Sequence, residues 1–254
     1  MEATKNTPAL ILNRRPYREN DGLVAVYTLK FGKQTLLARG VKKPRSKLAG
    51  HLEPLTLAEV MIIYGRGRDY IGSAATVNAY GRLKSDLNKL YCAGRALDWF
   101  NRLVKDNVRD EKLFALLTAW LETVDVWPAA ATESLIRESE GLDRERGELL
   151  FAFFAWQLMA ALGYRPELYK CLICGQKIKA GNNYFDLSRG GLVGGECAGK
   201  MEKGKGLILV ADNVIKLLRV ILENKFAAAA KLKVAGRTVK ETSALTLDFL
   251  NYHG

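Results

Sequence analysis

The chain has 254 residues, 48% hydrophobic and 26% charged, a composition that supports a packed core and excludes a disordered chain. With 39 Lys and Arg against 27 Asp and Glu, its net charge is +12, which favours an anionic partner: nucleic acid, an acidic protein or an anionic lipid surface. The longest apolar run, Leu149–Gly163, is broken by Gln157 and falls short of the roughly 18–20 residues a membrane span needs.

Met1–Pro8 is polar and lacks the apolar core of a signal peptide, so a reducing, cytoplasmic location is expected. Ala9–Asn13, Leu23–Leu29, Gln34–Arg39, Leu55–Tyr64 and Asp69–Val77 read as five short strands, with Gly32-Lys33 and Gly65-Arg66-Gly67-Arg68 as turns. Five strands in so short a span predict a small barrel, with the OB-fold as the five-stranded candidate. After Tyr80 the period changes. Leu83, Leu87, Leu90, Gly94, Leu97 and Val104 fall at helical spacing and predict one buried face. Leu113–Val124 continues the pattern, and Glu133–Arg137 reads as a short helix. Gly147–Leu162 is apolar around most of its circumference, which places it at the centre of a helical domain, with Gly163 as its stop. Pro166–Lys205 is an irregular, Gly-rich insertion with short strands around Tyr184–Leu187. Helices return at Val214–Glu223, with Asp212 as expected N-cap, and at Ser243–Asn251. The fold class is thus α+β, with a barrel domain over residues 1–80 and a mainly helical domain over 81–254 that carries a Cys-containing insertion at about 166–205.

The charge is concentrated at the start. Residues 1–50 hold eleven Lys and Arg but three acids, a net +8, interleaved with Tyr17, Tyr27 and Phe31. Basic side chains release counterions from phosphates, and aromatic faces stack on bases, as a single-strand groove requires. The phosphate-contact candidates are Arg14, Arg15, Arg39, Lys42, Lys43, Arg45 and Lys47, the last four in a loop.

Cys171-Leu172-Ile173-Cys174-Gly175 has the spacing of a zinc knuckle, in which two thiolates reach one tetrahedral ion. Cys197 lies at zinc-ribbon distance, but Gly194 stands where the fourth Cys belongs. The candidate ligands are therefore Cys171, Cys174 and Cys197, with Glu196 a weak fourth; the alternative is a knuckle that folds without metal. Cys92 reads as a buried apolar residue. Gly194–Met201 opens like a phosphate-binding loop but ends on Met201 instead of the Ser or Thr that would hold Mg²⁺. The two His, His51 and His253, lie near no nucleophile signature, and no catalytic motif is complete, so no enzymatic activity is expected.

These residues together resemble the bacterial RecO family of recombination mediators. The resemblance runs through Ala9–Leu12, Arg14–Asp21, Gly32-Lys33, the segment Ala38–Leu48, Leu52–Thr56, Leu162–Leu168, the Cys171/Cys174 knuckle, Gly190–Leu192 and Leu250–Gly254. It implies an N-terminal OB-fold, a helical domain and, in many members, a four-Cys zinc module. It further implies binding to single- and double-stranded DNA and annealing of complementary strands. The partners it implies are RecR, the acidic C-terminal tail of single-stranded DNA-binding protein, and the RecA recombinase, which such proteins help to load. The chain departs from the pattern at Gly194. The competing expectation is a protein-interaction adaptor, whose positive surface captures acidic protein tails without major DNA binding.

Overall fold

The computed structural model describes residues 4–65, 67–127, 136–200, 206–224 and 226–254. Two compact units divide the chain, Met1–Val126 and Trp127–Gly254.

The first unit opens with five strands: β1 (Thr4–Pro16), β2 (Gly22–Thr28), β3 (Gly32–Ala38), β4 (Thr56–Ile63) and β5 (Tyr70–Asn78). They close into a barrel of order β1-β2-β3-β5-β4, the five-stranded OB-fold architecture. The first strand is longer than its apolar run, because polar Thr4–Thr7 pair with Val60–Ile63 of β4 while Asn13–Pro16 pair with β2. A register shift between Ile11 and Asn13 gives the bend that lets one strand serve two neighbours. Closure comes from a parallel contact, Leu37 opposite Tyr70. The barrel core is aliphatic: Ile11, Val24, Val26, Leu36, Val60, Ile62 and Ile71 are buried in it.

Every residue of β2 is buried, so both of its faces are covered. Helices α1 (Gly81–Lys84), α2 (Leu87–Leu103) and α3 (Glu111–Val126) follow the barrel in the same unit. The Tyr27 ring meets Phe100 of α2 edge-on at 4.9 Å and stacks on Phe114 of α3, and its hydroxyl donates to the Asp110 carbonyl. Gly32 has φ +71, and a Cβ there would overlap the Val108 backbone, so the hairpin admits no side chain at this point. Of the expected helical face, Leu83, Leu97 and Val104 are buried, whereas Leu87, Leu90 and Gly94 are not. Asp86 caps α2 by accepting from the Asn88 and Lys89 amides, which starts a new helix and resets its phase. Leu87 is 81% exposed and Leu90 and Gly94 also face outward, while Cys92, Ala93, Ala96, Leu97 and Phe100 are buried.

In the second unit the long helix α4 (Ile136–Ala161) is the centre, and α6 (Asp212–Glu223) and α7 (Gly236–His253) pack against it. The expected short helix over Glu133–Arg137 lies outside the described residues up to 135, and Ile136 begins α4. Trp156 of α4 donates to Thr246 of α7 at 2.9 Å and stacks on Phe249. Gly163, at φ +97, ends the helix: its amide bonds to Ala160 and the Tyr164 amide to Met159, a Schellman arrangement. Helix α7 begins seven residues before the expected Ser243. Thr238, Thr242 and Thr246 hide its apolar period, yet they are buried because the Thr242 and Thr246 hydroxyls donate to the carbonyls four residues back. Asp212 stands in the first turn of α6 and not at its cap, which is Ala211; its carboxylate accepts the Gly181 amide. Strands β6 (Asn183–Asp186), β7 (Gly191–Gly194) and β8 (Leu207–Val210) form an antiparallel sheet, and the single turn α5 (Gly195–Ala198) follows β7. Among the described residues no helix is long and apolar enough to cross a membrane.

Candidate nucleic-acid interface and metal centre

One rim of the barrel gathers three connections. Asp21 of the β1–β2 turn accepts the Gly40 amide at 2.8 Å, and the Asn20 carbonyl accepts the Lys42 amide at 3.0 Å. These bonds tie the β1–β2 turn to the long segment between β3 and β4. That segment is anchored by Val41 and Leu52, buried on the barrel core, while Lys42, Lys43, Arg45 and Lys47 between them are exposed. The β4–β5 connection reaches the same rim: the Arg68 guanidinium lies 5.1 Å from the Tyr17 ring, with Arg18 at 5.4 Å. Arg39 stacks on Tyr70 at 4.0 Å. Stacking orients a guanidinium plane while leaving its edge donors available to an anion. OB-folds bind oligonucleotides with these same two loops, β1–β2 and β4–β5.

The predicted cations are placed as follows. Arg15, Arg39, Lys42, Lys43, Arg45 and Lys47 are exposed; Arg14 is half-buried and donates to the Ala49 carbonyl at 2.7 Å, fastening the β3–β4 segment. The three interleaved aromatics separate. Tyr17 is 42% exposed at the rim, Tyr27 is buried against the helices, and Phe31 packs against Tyr64 with Lys5 over both rings. Arg68 was not among the predicted contacts; its one signal in the sequence is its place in a Gly-Arg turn. Burial pushes the Tyr27 phenol up to about 12, with the nearby Asp110 charge adding to it and the hydrogen bond to Asp110 opposing it.

The cysteine site is built on β7. The Glu167 amide and carbonyl bond to Gly190 and Leu192, and the Leu172 amide bonds to Leu192, so the segment leading into the knuckle lies along that strand. The Glu167 carboxylate accepts the Tyr169 and Lys170 amides, and the first of these is the chief reason it stays below the usual carboxylate range. The knuckle closes by Gly175 N–H to Cys171 and Cys171 N–H to Gln176, with Gly175 at φ +71. Cys197 comes from α5, and its Sγ, with those of Cys171 and Cys174, forms a cluster with all separations within 4.8 Å. The Gly194 amide points at Cys171 Sγ, 3.4 Å away. Burial alone would raise the Cys171 thiol, but the amides of Cys174, Gly194 and Ile173 and the Cys174 thiol outweigh it and bring it down to about 7. Hydrogen bonding with Cys174, then burial, pushes Cys197 up to about 11.

The donor set fits a soft divalent ion. Zinc holds thiolates at about 2.3 Å, which puts the sulfurs of a tetrahedral site about 3.8 Å apart. The cluster, with all its separations within 4.8 Å, is compatible with that spacing. Among the described residues no fourth His, Cys or carboxylate joins it. The stretch that opens like a phosphate loop is part of this site, since Gly194 ends β7 and Gly195–Ala198 is the turn that carries Cys197; Met201 lies outside the described residues. Cys92 is buried on α2, in the other unit.

Comparison with known proteins covers both units. The family model for the recombination protein O N terminal domain matches residues 1–80, and that for its C terminal domain matches residues 84–254. The chain is 32% identical to the DNA repair protein RecO of Anaeromyxobacter dehalogenans (strain 2CP-C), over 100% of this chain and 92% of that protein. It is 29% identical to the DNA repair protein RecO of Roseiflexus sp. (strain RS-1), over 97% of this chain and 80% of that protein. With Desulforamulus reducens RecO the identity is 25%, over 96% and 88% of the two chains. A barrel with a basic, aromatic rim, a helical unit with a cysteine knuckle, and family matches over nearly every residue lead to one assignment: the chain belongs to the RecO family of DNA repair proteins.

Proposed function

We propose that the protein is a mediator of DNA repair and homologous recombination that binds single- and double-stranded DNA, anneals complementary strands and helps load a recombinase onto strands coated by single-stranded DNA-binding protein. The observation that carries this reading is the barrel rim, where Tyr17 stands between Arg18 and Arg68 and the exposed Lys42, Lys43, Arg45 and Lys47 adjoin the Arg39–Tyr70 stack. Bringing two strands together is opposed by phosphate repulsion. A cationic rim lowers that barrier by neutralising phosphates, and an exposed aromatic ring holds a base unstacked until its complement arrives. Base pairing then supplies the driving force, so the protein acts without making or breaking covalent bonds. Arg14, Arg15 and Arg39 serve as further phosphate contacts. RecR and the acidic tail of single-stranded DNA-binding protein are the proposed protein partners, and the cytoplasm the proposed location. In the second unit, Cys171, Cys174 and Cys197 hold Zn²⁺, which would clamp the knuckle to α5 and fix the insertion.

The test is strand annealing by purified protein, without nucleotide, across a salt series. Acceleration that fades with salt is expected. Lys42→Ala/Lys43→Ala/Arg45→Ala together should weaken DNA binding about 10–100-fold at low salt and flatten the log–log salt slope by about 2–3, whatever the DNA sequence. No acceleration, together with tight binding of an acidic tail peptide, would replace the mediator by an adaptor.

A further inference from the structure

Two adjacent glycines at the cysteine site differ in what the backbone asks of them. A Cβ on Gly195 would lie 2.5 Å from the Asn182 carbonyl oxygen, so that position admits glycine alone. Gly194 has φ −66 and ψ 149, ordinary extended values, and a Cβ there would meet nothing within 4 Å. Nothing in the local chain therefore requires glycine at 194. Yet its amide lies 3.4 Å from Cys171 Sγ, and it precedes Cys197 by the same interval that separates Cys171 from Cys174. It occupies a ligand position of a four-thiolate site without supplying a ligand.

Beside it lies a cleft of about 460 Å³, whose walls include all three cysteines, both glycines, Lys177, Lys179 and Glu196. We propose that the metal in this site is held by three protein thiolates and turns its fourth coordination position to this cleft, where it takes a water molecule exchangeable for a low-molecular-weight thiol. The inference rests on the metal reading above and goes beyond it. Three thiolates around a divalent ion carry net charge −1, and a fourth thiolate makes it −2; Lys177 and Lys179 on the cleft wall offset that gain. In the exchange the metal–oxygen bond breaks and a metal–sulfur bond forms. Water leaves to solvent, the thiol proton passes to buffer, and no oxidation state changes. Among the described residues that line the cleft, the exposed Glu196 supplies the only carboxylate that could compete for that position.

The experiment uses the full chain loaded with Co²⁺, whose sulfur-to-metal absorption counts thiolates. Titrating 2-mercaptoethanol into the wild-type protein should raise that absorption by about one third and then saturate, the ratio of four thiolates to three. Glu196→Gln should behave as wild type. Gly194→Cys should start at the higher absorption, ignore the added thiol and release metal to a chelator at least about 10-fold more slowly. The wild-type titration stands whether or not the Gly194→Cys protein folds. A flat wild-type titration overturns the open position while leaving the metal reading intact, and a changed spectrum in Glu196→Gln would then name the carboxylate as the fourth ligand. Failure to bind Co²⁺ at all overturns the metal reading, and the open position with it.

Discussion

The barrel rim and the cysteine knuckle are both built by loops tied to strands, yet they hold their chemistry in opposite ways. The rim is distributed. Its cations come from three connections and most are exposed, so in the proposed reading each would contribute a phosphate contact of similar worth. The knuckle is concentrated, with three sulfurs within 4.8 Å and one backbone amide aimed at Cys171. A distributed site degrades gradually as residues are lost, while a coordination site fails at one substitution. The family match runs through this segment although Gly194 stands where the resemblance expects a fourth Cys.

The largest effect that separates the two comes from Cys171→Ser. Metal affinity should fall at least about 1,000-fold in a chelator competition, because one of three ligands is lost, while the salt slope of DNA binding stays within error of wild type. Next is Gly32→Ala, which strikes the barrel at its β2–β3 hairpin and none of the rim's charges. Positive φ and overlap with the Val108 backbone should cost about 3 kcal/mol in urea unfolding. Smaller still, Tyr17→Ala removes the exposed ring between Arg18 and Arg68. It should weaken single-strand binding about 5–10-fold, with little change for duplex DNA, as expected for one lost stacking contact. The smallest effect is on pH dependence. Tyr27 stays protonated in the folded barrel until about pH 12, whereas in the unfolded chain it ionises near 10, so its share of stability is intact below pH 10 and is lost as pH rises toward 12. Tyr27→Phe should therefore unfold more easily at pH 8, by about 1 kcal/mol for the lost hydrogen bond to Asp110. By pH 11 the difference should shrink or reverse.

The strands were legible because β2, β3 and β4 carry their own apolar or alternating patterns, and the cysteine cluster because its spacing is local. The last barrel strand ends at Asn78, and the two family models divide between residues 80 and 84. Packing reaches further, since the compact unit includes α1–α3 and ends at Val126. Tyr17, Tyr27 and Phe31 look alike in the sequence; only the helices over β2 decide that Tyr27 is core, and those contacts are distant along the chain. Arg68 was missed for the same reason, as its partner Tyr17 belongs to another loop. The expected face of α2 coincides with the buried one only in part, at Leu97, because a side-chain cap at Asp86 splits what looks like one continuous period. Helix α7 was shortened because threonine reads as polar until its hydroxyl is seen bonded to its own helix.

The double pairing of β1 also has a consequence for synthesis. Its second half can zip to β2 as soon as the hairpin is made, but its first half has no partner until Ile63 is in place opposite Thr4. On the ribosome, the beginning of the chain therefore waits as an open strand edge while some fifty further residues are added. Non-local pairing of this kind is slow and exposed to mispairing. The polar Thr4-Lys5-Asn6-Thr7 stretch suits that interval: it carries enough strand character to close the barrel later and too little apolar surface to seize a wrong neighbour first.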